Sequence, residues 1–382
     1  MSLHLPAGPS SQETDWPGML ERALTGAGVH TQFQPVVDLA RGVVVGFEAL
    51  TRFEGFPVTN PDAWFAAARR EGCSPELEAL ALRCAFSARP DLPPHTFLAV
   101  NVGPDVLTHP QITQVWNSQA DLSGVVIELT EHARIDSYVS LEPALDRLRA
   151  SGALIAIDDA GAGYAGLQHL IGIRPHIIKL DRNLVSGVDR DETKRALVDM
   201  IGTFASRIDA WVLAEGIEHL GELDAVMGLG VPLGQGFLLG RPGPKWPEAD
   251  RRGAALLRQQ LPVGSEHSLR QILERATTVQ DEREAAAAFA DDSVDLVVLL
   301  DHARRPIAAM DVDGLVHSAL DPGMRMNVDT VVVEAAERAV TRPPGQRFRP
   351  LLCVDDAGCF VGVVRMERVL TFLTSSRHTS GT

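Results

Sequence analysis

Through the first two thirds of the chain, Glu48, Asn101, Glu128, Asp158, Asp159, Lys179, Asp181 and Glu215 each stand in or at the end of a short apolar run. If the runs bring them together, carboxylates of like charge crowd one another and bind protons more tightly unless cations neutralise them. Oxygen donors, with neither Cys nor His among them, favour hard cations such as Mg²⁺ or Mn²⁺. The adjacent pair Asp158-Asp159 is suited to serving two ions. Two ions about 3.5–4 Å apart polarise a phosphoryl group and activate a water between them. Lys179 can hold that water or stabilise charge on phosphorus, and Glu215 can act as general base.

The elements that must position these residues are legible as runs ending in polar residues: FQPVVDL (33–39), VVVGFEAL (43–50), FLAVNV (97–102), GVVIELTE (124–131), ALIAIDDA (153–160), HIIKLD (176–181), WVLAEGIE (211–218) and GQGFLLG (234–240). Strands this apolar, alternating with helical stretches, predict a parallel sheet covered on both faces. Eight of them match a TIM barrel, in which chemistry sits at the carboxyl ends of the strands. A doubly wound sheet would place a ligand only around its switch point, so closure is the expected α/β architecture. No GxGxxG or P-loop string occurs. Residues 1–16 read as a polar tail, and Trp16 to Ala27 as a short helix.

Composition narrows the function further. The chain has 382 residues, 45% hydrophobic and 22% charged, with a formal net charge of −15. That balance argues against a nucleic-acid polymer or an anionic membrane as partner, since both need clustered Lys and Arg. A small phosphate ligand stays compatible when a metal brings the positive charge. Cys73, Cys84, Cys353 and Cys359 show no CxxC spacing, so neither a zinc knuckle nor a disulfide framework is expected. No apolar leader opens the sequence and no run approaches the roughly 20 residues of a membrane span. A cytoplasmic protein is expected.

Residues 240–253 are rich in Pro, Gly and charge. Beyond them, 277–316 reads strand, helix, strand, strand, helix, and 325–373 repeats that order, an internal duplication expected to pack as one pseudo-symmetric α/β module. The predicted organisation is a tail (1–16), a barrel (17–245), a linker (246–264) and a second module (265–376).

The strings GFEALTR (46–52), VNVGP (100–104), IELTE (127–131), IDDAGAGYAGL (157–167), KLDRNLV (179–185), AEGIE (214–218) and GQGFLLGRP (234–242) stand in order, and together they resemble the EAL family of cyclic-di-GMP phosphodiesterases over about residues 20–245. The resemblance implies a modified (β/α)8 barrel whose first strand is antiparallel to the rest, and metal-dependent hydrolysis of cyclic-di-GMP to linear pGpG. It implies that Glu48, Asn101, Glu128 and Asp158 bind a first metal, with Asp158 bridging to a second served by Asp159 and Asp181. Lys179 would contact the attacking water, and Glu215 would be general base or a further ligand. Gln34, Leu50, Arg52 and Gln235 would hold the dinucleotide. Glu131 would anchor the loop after Asp159, and Glu218 would support the site.

This sequence departs from the family's DDFGTGYSSL, reading DDAGAGYAGL, and carries Gly103 where Ser is usual. The loop loses a hydroxyl partner for Glu131, and a net hydrogen bond is worth only about 0.5–1.5 kcal/mol, so a looser loop is expected. A catalytically weak cyclic-di-GMP receptor is therefore the competing function. For single residues, blander roles compete: helix capping for Glu218, a buried polar side chain for Gln235, a surface ion pair for Arg52, and structural or solvent-facing positions for His132 and His176. The C-terminal repeats resemble a CBS pair, which implies a regulatory module and a possible adenine nucleotide at Met310 and Asp313 in one repeat and Arg365 and Arg368 in the other. The Arg pair could bind an anion, but an exposed charged helix start is the preferred reading. Both family resemblances make a homodimer the expected assembly.

Overall fold

The apolar runs become the staves of a closed barrel. A computed structural model describes residues 14–94, 96–130, 141–158, 172–208, 210–249, 267–291, 293–317, 323–342, 346–356 and 358–379. The staves are β1 (Val29–Asp38), β2 (Val43–Phe53), β3 (Phe97–Val102), β4 (Val125–Leu129), β5 (Leu154–Ile157), β6 (Ile177–Leu180), β7 (Trp211–Ala214) and β8 (Leu233–Gly234). They close in sequence order. β1 is antiparallel to both β2 and β8, and every other neighbouring pair is parallel.

Strand alternation explains what fills the barrel. Successive residues of a strand face opposite sides. Val36, Phe97, Ala99, Val126, Ala156, Ile177, Leu213 and Leu233 form a buried inner layer. Two positions further toward the carboxyl end from Ala99, Val126, Ala156, Ile177, Leu213 and Leu233 lie Asn101, Glu128, Asp158, Lys179, Glu215 and Gln235. On antiparallel β1 the order inverts, and Gln34 precedes Val36. Gly46 is required on β2, because a Cβ there would stand 2.3 Å from the Phe97 ring. The other strand faces join helices such as Ser74–Ala88 and Glu192–Arg207 in the main apolar core.

Two expectations change. The helix at Trp16 ends at Leu24, capped at its start by Asp15. The eighth strand is only Leu233–Gly234, because Gly236 turns the chain: at φ +157 its Cβ would fall 2.2 Å from the Ile217 carbonyl oxygen. Gly240 N–H then donates to the Gly236 carbonyl at 2.9 Å. The chain past this turn returns to the barrel. Gly243 bridges Phe33, and Trp246, the first residue of the predicted linker, packs on Phe33 and Phe47 with ring centroids at 4.6 and 5.1 Å.

The C-terminal residues fold as two copies of one pattern. β9 (Thr277–Val279), β10 (Val297–Leu300) and β11 (Pro306–Met310) form one sheet, and β12 (Met324–Asn327), β13 (Leu351–Val354) and β14 (Phe360–Val364) the other. In each, the central strand is parallel to the first and antiparallel to the third. Val298, Ala309, Leu352 and Val363 form a cluster shared by both sheets, so the copies pack as one body.

That body docks on the barrel end opposite the polar residues. Arg41, in the β1–β2 turn, reaches both Asp356 oxygens at 3.1 Å and Asn327 Oδ1 at 3.2 Å. Asn327 Nδ2 donates to Asp356 Oδ1 at 2.6 Å. Among the described residues no helix is long and apolar enough to cross a membrane.

Candidate active site

Glu48 comes from β2, Asn101 from β3, Glu128 from β4 and Lys179 from β6, while Asp158, Glu215 and Gln235 stand immediately beyond β5, β7 and β8. The last three remain tied to neighbouring strands, their N–H groups donating to the carbonyls of Leu129 (3.2 Å), Leu180 (3.1 Å) and Ala214 (2.8 Å). The sheet therefore fixes their position.

Lys179 lies at the centre and is 1% exposed. Its Nζ is 2.6 Å from Glu215 Oε1, 2.8 Å from Glu128 Oε2, 3.4 Å from Asp158 Oδ1 and 3.7 Å from Glu48 Oε1. Glu48 is oriented by two amides: Asn101 Nδ2 donates to Oε1 at 2.8 Å and Gln235 Nε2 to Oε2 at 2.7 Å. Gln235 Nε2 also donates to Gln34 Oε1 at 3.1 Å, and Gln34 Nε2 to the Gly240 carbonyl at 3.0 Å. Gln34 and Gln235, both buried, thus lock Glu48 from behind.

One ammonium faces four carboxylates, and the charge imbalance shows in their acidity. Burial, reinforced by Glu48, Asp158 and Glu215, pushes Glu128 well above the usual carboxylate range despite Lys179. Glu215 is raised to about 8, by burial first and then by Asp158 and Glu48. Burial also works to raise Glu48, but Lys179, Asn101 and Gln235 outweigh it and hold it below its ordinary value. Burial works to lower Lys179, and the carboxylates, Asp158 foremost, keep it well above its ordinary value. Among the described residues no three acidic, His or Cys side chains already stand as a metal cage. The oxygen donors and the excess negative charge fit a hard divalent cation, which would supply the missing positive charge.

A cavity of about 580 Å³ opens beside Glu48, Asn101 and Asp158 and is lined further by Leu50, Arg52, Phe65, Arg69, Glu78 and Thr130. Its volume is in the range of small-molecule sites. Arg52 makes no ion pair among the described residues; Gln32 Oε1 holds its Nε at 3.0 Å. Two carboxylates escaped the sequence reading. Glu78 accepts from Gly103 N–H at 2.7 Å and from Ser74 at 3.1 Å, fixing the backbone two residues past Asn101. Glu222 accepts from the N–H groups of Gly187, Glu218 and His219, each at 3.0 Å. The spacing His219-x-x-Glu222, a capping box, was a signal that could have found the second.

Other predicted residues lie at the edge. Asp181 caps the helix Arg182–Val185, accepting from Asn183 N–H at 3.0 Å and from its side-chain amide at 2.8 Å. Glu218 pairs with Arg182 at 2.9 Å and leaves the capping to its neighbour. Asp159, Glu131 and His132 lie outside the described residues, as does the loop after Asp159. In the C-terminal body, Met310 is buried in an apolar cluster, and the Asp313 side chain is outside the described set. Arg365 is held by Asp295 at 2.5 and 2.8 Å, and Arg368 by Glu274 at 2.8 Å. The Arg pair is thus a charged, ion-paired helix start.

A protein from Escherichia coli (strain K12) named "Probable cyclic di-GMP phosphodiesterase PdeB" is 30% identical over 239 residues, 59% of this chain and 45% of its own length. The chain thus spans less than half of that relative. The solved structure "PaMucR Phosphodiesterase, c-di-GMP complex" is similar with a TM-score of 0.55 and 25% identity over 60% of this chain and 97% of that one. "Klebsiella pneumoniae BlrP1 pH 8.0 calcium/cy-diGMP complex" is 32% identical, with a TM-score of 0.50 over 58% of each chain. The EAL domain profile matches residues 18–242, which is the whole barrel with its ring of acidic residues about one lysine. On that match over more than half its length, the chain belongs to the EAL domain family.

Proposed function

We propose that this chain hydrolyses cyclic-di-GMP to linear pGpG. The observation that carries the reading is the quartet of carboxylates around buried Lys179, opening into a cavity with two arginines. Glu48, Asn101, Glu128 and Asp158, with Asp159 and Asp181, would hold Mg²⁺ or Mn²⁺, two per site, which when bound polarise the phosphoryl group and acidify the attacking water. Arg52 and Arg69 neutralise phosphate charge, and Leu50 and Phe65 give the bases an apolar wall. Lys179 orients the water, whose oxygen bonds to phosphorus as one P–O ester bond breaks in line. Glu215, whose raised proton affinity bound cations would lower, takes the water's proton, and the departing ribose oxygen takes a proton from solvent water. Gln34 and Gln235 act through Glu48, and Glu218 supports the site from its rim through Arg182.

The rival reading, a receptor that binds without turnover, is favoured by one observation, the substituted DDAGAGYAGL string. In either case the duplicated C-terminal body, from about 265 to 376, is the regulatory CBS-like module, and the working assembly is a homodimer. An adenine nucleotide there is disfavoured by the burial of Met310 and the ion pairing of Arg365 and Arg368. The test is product analysis with purified full chain, cyclic-di-GMP and Mg²⁺ or Mn²⁺, beside EDTA and Glu48→Ala controls. Metal-dependent pGpG, lost in the variant, is expected; measurable binding without product would establish the receptor.

A further inference from the structure

Beneath the barrel, away from the site just described, a second cavity lies between the barrel floor and the C-terminal body. Phe97, Leu154, Ile177 and Trp211, at or near the start of their strands, form its roof, and Arg305, Arg325, Val354 and Gly358 are among the residues that line it from the other side. Its volume is about 60 Å³. A buried water needs about 10–15 Å³ on this measure, so the space suits a group of some four to six heavy atoms.

The lining sets two arginines, Arg305 and Arg325, against two aspartates, Asp355 and Asp356, and Arg305 is incompletely satisfied. Arg305 is 6% exposed, yet its Nε and Nη2 have no hydrogen-bond partner among the described residues. The guanidinium lies at the cavity wall, with Nε 3.7 Å from the position a Cβ would take on Gly358. Asp301 does not engage it there; its Oδ1 accepts the Arg305 backbone N–H at 2.8 Å. Of the lining acids, Asp356 is bound by Arg41 and Asn327, and Asp355 accepts from Cys359 N–H at 2.9 Å. His176, also on the wall, accepts the Ile155 N–H at its Nδ1 at 3.0 Å. Burial, followed by the fields of Arg325, Arg149 and Arg305, holds its imidazole neutral with a pKa well below the ordinary value. Its ring proton is then on Nε2. Leaving two buried guanidinium donors unpaired costs more than a net hydrogen bond returns elsewhere, and guanidinium favours planar two-point contact with oxyanions.

We infer that this cavity is a binding site for a small oxyanion of the phosphate class, held by Arg305 and Arg325 from the C-terminal body with His176 on the barrel side. Its occupant touches both the barrel floor and the C-terminal body and so favours their docked arrangement.

The probe is inorganic phosphate, titrated into metal-free full-length protein in EDTA, with chloride at matched ionic strength as control. A rise in melting temperature that grows with the logarithm of phosphate concentration, and is absent with chloride, is expected by preferential binding to the folded state. Arg305→Gln should weaken phosphate binding at least tenfold, whereas Arg52→Gln, in the upper cavity, should leave it unchanged. No rise beyond the chloride control, or a rise lost in Arg52→Gln and retained in Arg305→Gln, overturns the inference. Should Arg305→Gln fail to fold, crystals of the unmodified chain soaked in tungstate decide: tungsten density beside Arg305 supports the site, and water alone there refutes it.

Discussion

Replacing Lys179 with Met tests the electrostatics of the site independently of turnover. Met keeps an unbranched apolar stem of similar reach but removes the ammonium that four carboxylates share within 3.7 Å. Breaking a buried ion pair by removing one partner costs about 3–5 kcal/mol. At about 2–4 °C per kcal/mol for a unit of this size, the metal-free variant should melt roughly 6–20 °C below the unmodified chain at pH 8. The deficit should also depend on pH with a definite sign. Glu215 already titrates near 8 and Glu128 lies well above its ordinary value with the lysine present. Without it both rise further, so the folded state binds more protons than the unfolded chain, and stability falls as pH climbs through the carboxylate range toward those raised values. The deficit is therefore largest at pH 8 and shrinks toward pH 5. Calorimetry in EDTA at both pH values measures it, and Mn²⁺ should restore part of the loss at pH 8. Equal melting temperatures, or a deficit that grows on acidification, would refute the assignment of Lys179 as the shared counter-ion.

Asp38 offers a second pH test away from the site: burial raises its pKa from 3.8 to about 6 despite Arg41, which at 1.36 kcal/mol per pH unit is about 3 kcal/mol. Asp38→Asn should therefore stabilise the chain at pH 7.5 by up to about that amount, with the advantage fading as pH falls from 6 toward 3.8; thermal melts of both proteins across this window check it. Arg41→Ala removes the clamp on Asp356 and Asn327 and leaves Asp356 buried without its cation, so one calorimetric transition should separate into two, the C-terminal body melting first. Trp246→Ala should cost about 1.5–3 kcal/mol, since the ring is partly buried against the barrel core, measured by urea unfolding, and a cost below about 1 kcal/mol would place that residue in a loose linker. In the reaction itself, Lys179→Met should spare cyclic-di-GMP binding and collapse turnover, a split read by calorimetric titration beside product analysis.

Much of this arrangement was legible because strand alternation and charge point the same way. The apolar strings of β3 to β7 are buried on both faces, and the polar residue at each carboxyl end has little choice but the barrel mouth. The eighth string misled because GFLL is apolar enough for a strand, whereas close approach to Ile217 at Gly236 bends it into a turn. Glu78 sits in a helix with no motif to mark it, and its value to Gly103 appears only once the helix is packed. Arg41 was equally silent: a lone arginine in a short turn says nothing about an aspartate 315 residues later. Asp181 shows another limit: its place in KLD marks a strand end, while its contacts with the Asn183 N–H and side-chain amide appear only in the folded turn.

The barrel interior also explains how so charged a centre is held in place. Burying Lys179 and Glu128 is unfavourable unless each finds partners, and the inner layer from Val36 to Leu233 sits directly below them as an apolar floor. In such surroundings every ion pair is stronger than in water, and every unmatched charge is costlier. The chain Gly240–Gln34–Gln235–Glu48, with Asn101, then fixes the Glu48 carboxylate at the strand that lines the cavity. A site held this way resists collapse onto its lysine while it waits for cations. Among the described residues, Glu128, Asp158, Glu215 and Glu48 surround Lys179 while Asn101 and Gln235 hold Glu48, so the strands and their carboxyl ends carry the centre between them.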